Sequence, residues 1–356
     1  MVLHVHPPRS GPDPAQCPGL ARRAPGRLHR PPEVPGVSDV VSTGTSDDGR
    51  GSTGDGRETV AVVVVTYNRA DLVGRTLDGL AAQTHQPDAV IVVDNASTDH
   101  TRAVLEAHRG LPLQRIHLDS NTGGSGGFRA GVEAAYDQGF DRIWLMDDDV
   151  VPAPDCLAVL MAQDEACVMA VREDTRGHLV ERAATDFDLS HPWSVRPKRG
   201  TVETTYRERD AMPDRVELHN VAFEGFLVRR EVFAAVGLPD ESFFIFYDDV
   251  DFALRARRAG YRIWAVRDAV LVRQLDFDQQ HALDTWKGYY MYRNLFAVHF
   301  RYGTNPLVRA KPYAIAAGVV ALSPVRGGKA EAGNVIRAIR GARGMRSIPG
   351  STPPSR

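Results

Sequence analysis

The feature that most constrains the fold is an alternation of short apolar runs with segments of helical spacing. The first run, "VAVVVVT" from Val60 to Thr66, is unbroken and β-branched, which is typical of a strand buried on both faces of a parallel sheet. Leu72, Leu77 and Leu80 follow near helical spacing, before a second apolar run, "AVIVVD". Strands that alternate with helices form right-handed β-α-β units, so we predict an α/β fold with an open, doubly wound sheet.

The same alternation predicts further elements along the chain. Ser97 or Thr98 is placed to cap a second helix that runs to about His108, and "LQRIHL" follows as a third strand. A third helix, "GGFRAGVEAAYDQG", and a fourth strand, "RIWLM", come next. Later, "NVAFEGFLVRREVFAAVG" is predicted to be a strand that leads into a helix.

Composition divides the chain into three parts. Residues 1–57 are rich in proline and glycine and show no hydrophobic period, so we predict a disordered tail. Residues 58–284 carry the α/β pattern. Residues 285–356 are predicted to form a helical C-terminal extension with a basic tail.

Charge and cysteine content exclude several classes of protein. The formal net charge of -2 argues against a nucleic-acid binder, because such proteins carry a basic surplus that neutralises phosphates. Three cysteines at spacings that match no zinc or redox pattern favour a reducing compartment. The sequence contains no apolar signal segment and no membrane-spanning run of ~18 apolar residues, so we expect a cytoplasmic protein.

Four polar clusters follow the predicted strands, namely "TYNR", "DNAST", "NTGG" and "DDD". In an open α/β sheet, ligands bind outside the carboxyl ends of the strands. All four clusters are therefore expected to face one crevice. Their convergence predicts a ligand-binding site there.

Three consecutive aspartates, Asp147 to Asp149, end the fourth predicted strand. Adjacent side chains on an extended chain point in opposite directions, so Asp147 and Asp149 would face one side together and Asp148 the other. Such a pair suits Mg²⁺ or Mn²⁺, which bind one or two carboxylates and complete their shells with water and phosphate oxygens. A solvated acidic turn is the alternative interpretation.

Two other clusters have both a ligand-binding and a structural interpretation. Asp94 and Asn95 end the second strand, where a carboxylate can accept hydrogen bonds from a nucleotide, but either residue can also cap a helix. In "NTGGSGGF", the glycines either present backbone N–H groups to a ligand or form a flexible loop. The loop fits neither the G-x-G-x-x-G nor the Walker pattern, which argues against dehydrogenases and P-loop kinases.

The segment "FFIFYDDVDFALRARR" combines aromatic residues with an acidic helix start. Asp248, Asp249 and Asp251 at the start of the helix, with arginines at its end, match the helix dipole, and this explains part of the pattern. The aromatic residues directly upstream are Phe243, Phe244, Phe246 and Tyr247. An aromatic wall beside a carboxylate is the setting of a general base for a sugar hydroxyl, because partial burial adjusts the pKa of the carboxylate.

Taken together, the segments "VVVVTYNRADLVGRTLDGL", "IVVDNASTD", "NTGGSGGFRAGV", "WLMDDDV" and "FFIFYDDVDFALRARRAGYRIWAV" resemble the family 2 inverting glycosyltransferases with a GT-A fold. The resemblance covers residues 58–300 and is greatest to bacterial galactofuranosyl and rhamnosyl transferases of cell-wall and lipid-linked glycan assembly. It implies a mostly parallel, mixed sheet flanked by helices. It also implies transfer of a sugar from a UDP- or dTDP-linked donor to a hydroxyl of a glycan or polyprenyl-linked glycan.

The resemblance assigns roles to individual residues. Asp147 and Asp149 would form the D-x-D pair that holds Mn²⁺ or Mg²⁺ on the donor diphosphate. Asp249, with Asp248 beside it, would be the catalytic base that deprotonates the acceptor hydroxyl. The contacts to the donor would come from Thr66, Arg69, Asp94, Asn95, Gly123, Gly124, Arg129 and Asp148.

One departure from the family pattern concerns the metal ligands. Family members often carry a histidine shortly after the strand that corresponds to "RIWAV", whereas this chain has Arg273 and Gln274 there. Either His281 substitutes from a shifted register, or Arg273 neutralises the diphosphate directly.

The C-terminal tail has two interpretations. From Arg326 to Arg356 there are seven basic residues and one acidic residue. A helix there would carry an apolar stripe opposite its arginines, formed by Val335, Ile336, Ile339 and Met345. Such a helix either makes a peripheral contact with an anionic membrane, at the inner face of the plasma membrane, or packs against the protein.

Two other functions fit parts of the sequence. A nucleotidyltransferase shares the nucleotide-binding sheet and the metal carboxylates, but the aromatic-flanked "FIFYDDVD" block favours sugar transfer. A non-catalytic scaffold that binds nucleotide sugars or glycans is the second alternative, because the family histidine is missing.

Overall fold

Strand β1, Val60–Thr66, lies near the centre of the main sheet and is buried along its whole length. Ala61, Val63 and Val65 point into one hydrophobic core, whereas their even-numbered neighbours point into a second core on the opposite face. This two-sided burial confirms what the β-branched run predicts. The computed structural model describes residues 57–194, 197–275, 283–326 and 328–347, so the predicted disordered tail falls almost wholly outside the described residues.

The main sheet is mixed and has nine strands. Its first four strands are parallel, because β1 pairs with both β2 (Ala89–Asp94) and β4 (Arg142–Asp147), and β2 pairs with β3 (Leu113–His117). The path runs β3-β2-β1-β4-β10-β6-β11-β5, and β9 pairs with β11. The later strands are β5 (Val150–Pro152), β6 (Cys167–Glu173), β9 (Arg215–Leu218), β10 (Phe226–Arg229) and β11 (Ile263–Arg273). Strands β7 (Ala184–Phe187) and β8 (Lys198–Thr201) form a separate two-stranded sheet.

Helices cover both faces of the sheet, as the doubly wound prediction requires. One face packs against helices α3 (Gly123–Asp137), α6 (Arg230–Val236) and α7 (Asp248–Arg258). The other face packs against α1 (Ala70–Ala81), α2 (Thr101–Ala107) and α4 (Cys156–Met161). A short helix, α5 (Val202–Tyr206), follows β8.

The start of helix α2 differs from the prediction. The helix begins at Thr101, and neither Ser97 nor Thr98 caps it. Ser97 Oγ instead accepts a hydrogen bond from the Asn68 N–H at 2.9 Å, and the Thr98 N–H donates to Asn68 Oδ1 at 2.7 Å. These residues therefore join the loop after β2 to the loop after β1.

Three long helices complete the fold, namely α8 (Trp286–Tyr302), α9 (Pro306–Arg326) and α10 (Lys329–Arg343). They enclose a third core that includes Phe243, Phe296 and Val335. Val335 and Met345 of the predicted apolar stripe pack into this core, whereas Ile336 is 39% exposed. Within the described ranges, no helix is long and apolar enough to cross a membrane.

Candidate active site

The predicted polar clusters meet at the carboxyl edge of the parallel strands. Thr66 at the end of β1 lies in register with Asp94 at the end of β2, and Val65 lies in register with Asp147 at the end of β4. The Asn95 N–H donates to the Thr66 carbonyl at 2.9 Å. The "TYNR", "DNAST" and "DDD" clusters therefore lie side by side.

Arg69 binds two of the three consecutive aspartates. Its Nη1 lies 2.8 Å from Asp148 Oδ1 and 3.2 Å from Asp149 Oδ2. Although burial opposes the charge of Arg69, the two carboxylates raise its pKa. Asp149 Oδ1 is buried and has no hydrogen-bond partner within the described part of the chain. A buried carboxylate oxygen without a donor is an open position for a cation.

Glu224, in the turn before β10, adds another carboxylate to this edge. Burial raises the pKa of Asp147 and of Asp149, and the negative charge of Glu224 is the next largest cause for both. Glu224 also raises the pKa of Asp249, although less than burial does. The negative charge of Glu224 therefore acts on both the aspartate pair and the predicted base.

Two arginines keep Glu224 ionised. Arg172 at the end of β6 binds Glu224 Oε2 and also makes a two-pronged contact with the buried Glu181, at 2.9 and 2.8 Å. Arg273 Nη2 lies 3.7 Å from Glu224 Oε1. Although burial opposes ionisation, these positive charges hold the pKa of Glu224 below its ordinary value. Arg172 and Arg273 are thus paired with carboxylates of the protein.

Asp94 and Asn95 are almost completely buried and take part in contacts within the protein. Asp94 Oδ1 accepts from the Ser97 N–H at 2.9 Å, and its Oδ2 lies 3.0 Å from His117 Nδ1. The Asn95 amide donates to the Gly123 carbonyl at 2.9 Å and accepts from the Thr122 N–H at 2.9 Å. Asn95 therefore fixes the "NTGG" loop, and neither residue caps helix α2. Their contact with a nucleoside stays a prediction.

The "NTGG" loop is fixed by contacts with the rest of the protein, and its contact with a ligand stays a prediction. Gly123 adopts φ +75°, and a Cβ there would lie 1.9 Å from the Phe244 carbonyl oxygen, so this position requires glycine. The Ser125 N–H donates to that same oxygen at 3.1 Å. Because the N–H groups of Thr122 and Gly123 also have protein partners, the loop presents no continuous row of free donors.

Two predicted donor contacts lie further along helix α3. Arg129 Nη1 donates to the Pro239 carbonyl at 3.4 Å, and its Nε lies 3.9 Å from a Glu241 carboxylate oxygen. Open space surrounds the Cβ position of Gly124. Roles for Arg129 and Gly124 at the donor stay predictions.

The adjacent acids Asp248 and Asp249 at the start of helix α7 have different environments. Burial, followed by the charge of Asp249, raises the pKa of Asp248 to about 8. Burial raises the pKa of Asp249 to about 6, although the Val250 N–H and the Lys198 charge favour its ionised form. Near neutral pH, Asp249 is therefore the carboxylate that can accept a proton, and Asp248 is mainly neutral.

The third acid of the block, Asp251, is structural. It is completely buried, and its Oδ1 accepts from Arg301 Nη1 at 2.7 Å and from the Tyr302 hydroxyl at 2.6 Å. Its Oδ2 accepts from Arg255 Nε at 2.9 Å. Asp251 thus joins helix α7 to helix α8.

The segment that leads to Asp249 has an unusual backbone. Phe244, Phe246 and Tyr247 have φ values of 64°, 66° and 69°, in the left-handed region that costs non-glycine residues energy. The completely buried Asn294 of α8 holds this segment, since its amide nitrogen lies 3.0, 2.7 and 2.9 Å from the carbonyl oxygens of Phe243, Ile245 and Phe246. Asn294 therefore fixes the segment that leads to Asp249, the predicted base.

The predicted aromatic wall is divided between the core and this segment. Phe243 is completely buried in the third core, so it does not line the site. Phe244 stacks on Tyr290 of α8 with a ring-centroid distance of 4.9 Å and an interplanar angle of 24°. Helix α8 therefore supplies both a hydrogen-bonding and an aromatic contact to the segment before Asp249.

Replacing Asn294 with alanine is expected to lower kcat by roughly ten- to a hundredfold, because a displacement of about 1 Å at the base has an effect of that size. Three carbonyl groups would lose their shared donor, so the free energy of unfolding should also fall by about 1–3 kcal/mol. Steady-state kinetics and thermal melting measure both effects. The control is Met291→Ala, a truncation on the same helix. Equal losses in the two variants would mean that Asn294 does not position the base.

The predicted metal site contains fewer side chains than the family pattern provides. No cluster of three or more His, Cys, Asp or Glu side chains in the described ranges forms a ready metal site. Gln274 donates its backbone N–H to the Asp149 carbonyl at 2.8 Å, and Arg273 lies beside Glu224. His281, the alternative ligand, lies outside the described residues.

Comparisons with known proteins identify the family of the chain. The sequence profile of "Glycosyl transferase family 2" matches residues 61–237. The galactofuranosyltransferase GlfT1 of Mycobacterium tuberculosis is 33% identical over 252 residues, which are 67% of this chain and 81% of that protein. GlfT1 of Mycolicibacterium smegmatis is 30% identical over 253 residues, or 67% of this chain and 82% of that protein.

Solved structures support the predicted fold class. The S. aureus TarS 1-349 structure in complex with UDP-GlcNAc has a TM-score of 0.50 and 17% sequence identity, and the match covers 79% of each chain. At that identity the likeness shows the fold alone, and it confirms the GT-A prediction. The relatives at 30% identity or more also show the family, so the chain belongs to glycosyl transferase family 2.

Proposed function

We propose that this glycosyltransferase moves galactofuranose, with inversion, from UDP-galactofuranose to a hydroxyl of a cell-wall or polyprenyl-linked glycan. The observation that carries the mechanism is that Asp147 ends β4 at the sheet edge where the polar clusters meet, and the charge of Glu224 raises the pKa of Asp147, Asp149 and Asp249 alike. The site therefore combines a carboxylate pair for the leaving diphosphate with a separate carboxylate for the attacking hydroxyl. The two GlfT1 relatives, both named galactofuranosyltransferases, support the choice of sugar.

The residues present fit a divalent cation at the donor side. Asp147 and Asp149 would hold Mn²⁺ or Mg²⁺, since Asp149 Oδ1 is buried without a partner and all the nearby acidic ligands are oxygen donors. The cation would neutralise charge on the diphosphate leaving group. With two protein carboxylates, the remaining coordination positions would be filled by water and phosphate oxygens. Arg273 supplies further positive charge beside Glu224.

On the acceptor side, Asp249 would accept the proton of the attacking hydroxyl. A pKa of about 6 leaves Asp249 ionised at neutral pH while it remains a stronger base than an exposed aspartate. The hydroxyl oxygen then attacks the anomeric carbon from the face opposite the diphosphate, and this in-line geometry inverts the anomeric centre. The strained segment held by Asn294 fixes the position of Asp249.

The proposal also covers a second candidate donor and the place where a lipid-linked acceptor would be met. A rhamnosyl donor linked to dTDP is the second candidate, because the sequence also resembles rhamnosyltransferases. A polyprenyl-linked acceptor would place the enzyme at the inner face of the plasma membrane through a peripheral contact.

The purified protein should transfer sugar from one member of a panel of UDP-, dTDP- and GDP-sugars to a synthetic galactofuranosyl acceptor. Inversion predicts a new glycosidic linkage with the anomeric configuration opposite to that of the donor, identified by NMR, and release of a nucleoside diphosphate. A parallel assay with a nucleoside triphosphate and a sugar 1-phosphate tests the alternative enzyme, because release of pyrophosphate from those substrates would indicate a nucleotidyltransferase instead. If the folded protein bound a donor but neither transferred nor hydrolysed it, the scaffold interpretation would replace this one.

A further inference from the structure

Helix α9 exposes an apolar face that no described part of the chain covers. Leu307 is 64% exposed, Leu322 is 51% exposed, and Tyr313 and Val320 are each 38% exposed. Ala314, Ala317 and Ala321 on the same helix are also exposed. Soluble proteins rarely expose a continuous apolar surface of this kind unless it binds something.

The exposed face also lacks charge over most of its length. From Pro312 to Pro324 the sequence "PYAIAAGVVALSP" contains no charged residue. Val308, which is completely buried, and Ile315 and Val319, which are partly buried, form the opposite face and pack into the third core. The helix therefore has two apolar faces, and only one of them packs against the part of the chain that the structure describes.

Basic residues border the exposed face. The Arg343 guanidinium lies 5.3 Å from the centre of the Tyr313 ring, and Arg346 Nη2 donates to the Tyr313 hydroxyl at 2.8 Å. Residues 306–347 contain eight basic residues and one acidic residue. That acidic residue, Glu331, is buried and accepts from the Tyr292 hydroxyl at 2.6 Å. Positive charge from Arg343 and Arg346 therefore borders the uncharged exposed face of α9, although the whole chain has a net charge of -2.

We propose that the exposed face of helix α9 docks on the surface of an anionic phospholipid bilayer. The apolar side chains would enter the boundary between head groups and acyl chains, and the arginines of α10 would contact the negative head groups. A tyrosine with an apolar ring and a polar hydroxyl suits that interface. The charge pattern favours this occupant over a second copy of the chain, whose equally basic surface would repel the first.

This surface differs from the one expected from sequence. The predicted membrane stripe lies on α10, but Val335 and Met345 of that stripe are buried in the third core. The arginines of α10 remain available, while the apolar contact comes from α9. The proposal gives a role to the lipid-linked acceptor of the proposed function, yet vesicle binding is measured without donor or acceptor. The two proposals can therefore fail separately.

The test is flotation of the full-length protein with vesicles of phosphatidylcholine alone or of phosphatidylcholine mixed with phosphatidylglycerol. We expect binding to the anionic vesicles, weakened by salt because the contact is partly electrostatic. In a variant with Ala317→Glu and Ala321→Glu, the binding constant for anionic vesicles should fall by roughly tenfold or more, since charged side chains are costly in the acyl region. Both alanines are exposed, so the fold should be retained.

The matched control is Ala103→Glu with Ala107→Glu on helix α2, which places the same two charges at the same spacing on exposed positions. This control should bind vesicles like the wild type. Equal binding by all three proteins, or no binding by any of them, would overturn the proposal. Light scattering without vesicles measures whether the protein forms dimers. If the wild type were a dimer and the α9 variant a monomer, the exposed face would bind a second copy of the chain, and the membrane proposal would be wrong.

The contribution of the basic residues beside the exposed face is tested by a double variant, Arg343→Gln with Arg346→Gln. Each basic residue near an anionic surface contributes a factor of about five to the binding constant, so the pair should weaken binding to anionic vesicles by roughly 25-fold. The weak binding to phosphatidylcholine alone should change little. A loss of the same size on both kinds of vesicle would contradict an electrostatic role for these arginines.

Discussion

Replacing Asp249 with asparagine is expected to reduce sugar transfer by roughly 10²–10⁴-fold, the usual contribution of a positioned general base. Asparagine keeps the size and the Oδ1 that accepts from the Val250 N–H, but it cannot take the proton of the acceptor hydroxyl. The fold should be retained, because the substitution removes a buried charge whose pKa is raised by burial. Single-turnover kinetics with saturating donor measure the chemical step directly.

The same substitution at the neighbouring Asp248 is the control for Asp249→Asn. Its pKa of about 8 means that it is mainly protonated near neutral pH, and asparagine closely resembles a protonated carboxyl group. Asp248→Asn should therefore cost no more than roughly tenfold in kcat, far less than Asp249→Asn. If the two variants lost activity equally, or if Asp248→Asn lost more, the assignment of the base to Asp249 would be wrong.

The pH dependence of the wild type provides a second check on the base. Asp249 must be ionised to accept a proton, and burial raises its pKa to about 6. The value of kcat/KM should therefore fall as the pH drops below about 6 and reach a plateau above it. An exposed aspartate would instead remain ionised down to a pH of about 4. A profile that stayed flat between these two values would exclude Asp249 as the base.

The fold could be predicted largely from local patterns. The β-branched run of β1 predicts burial on both faces, and the structure confirms it because alternate residues enter two different cores. The direction of β10 could not be predicted, because an apolar strand sequence contains no information about its partners. β10 runs antiparallel between β4 and β6, and this pairing decides which residues face Asp147.

Residues of the candidate site could be predicted from sequence only where they belong to a recognisable motif that directly follows a predicted strand. The "DDD", "DNAST" and "NTGG" clusters do so, and they meet at one edge of the sheet. Glu224 and Arg172 were missed, because each is a single charged residue in or beside an apolar run and they are brought together by strands far apart in sequence. A lone acid within "NVAFEGFLV" is the signal that could have indicated Glu224. Asn294 has no local signal, since its partners lie about fifty residues earlier.

Replacing Asp147 with asparagine is expected to stabilise the protein in the absence of divalent cations and to abolish its response to them. Burial, followed by the charges of Glu224, Asp149 and Asp148, raises the pKa of Asp147, so its ionised form opposes folding above the pKa of an unfolded aspartate. At neutral pH the uncharged amide removes that repulsion. A gain of about 1 kcal/mol in the free energy of unfolding corresponds to an increase of about 2–4 °C in Tm.

The same substitution removes one of the two carboxylates proposed to bind the cation. For the wild type, Mn²⁺ with UDP at a hundred times the dissociation constant should add about 2.7 kcal/mol to the free energy of unfolding. For Asp147→Asn that addition should disappear, and calorimetry should detect no Mn²⁺-dependent binding of UDP. Asp119→Asn, which removes an exposed carboxylate, is the control and should behave like the wild type in both measurements. If Asp147→Asn kept the cation-dependent increase in Tm, the cation would have to bind elsewhere. If Asp147→Asn instead lowered the Tm without cations, the aspartate cluster would be a stabilising acidic turn, and the structural interpretation of "DDD" would be correct.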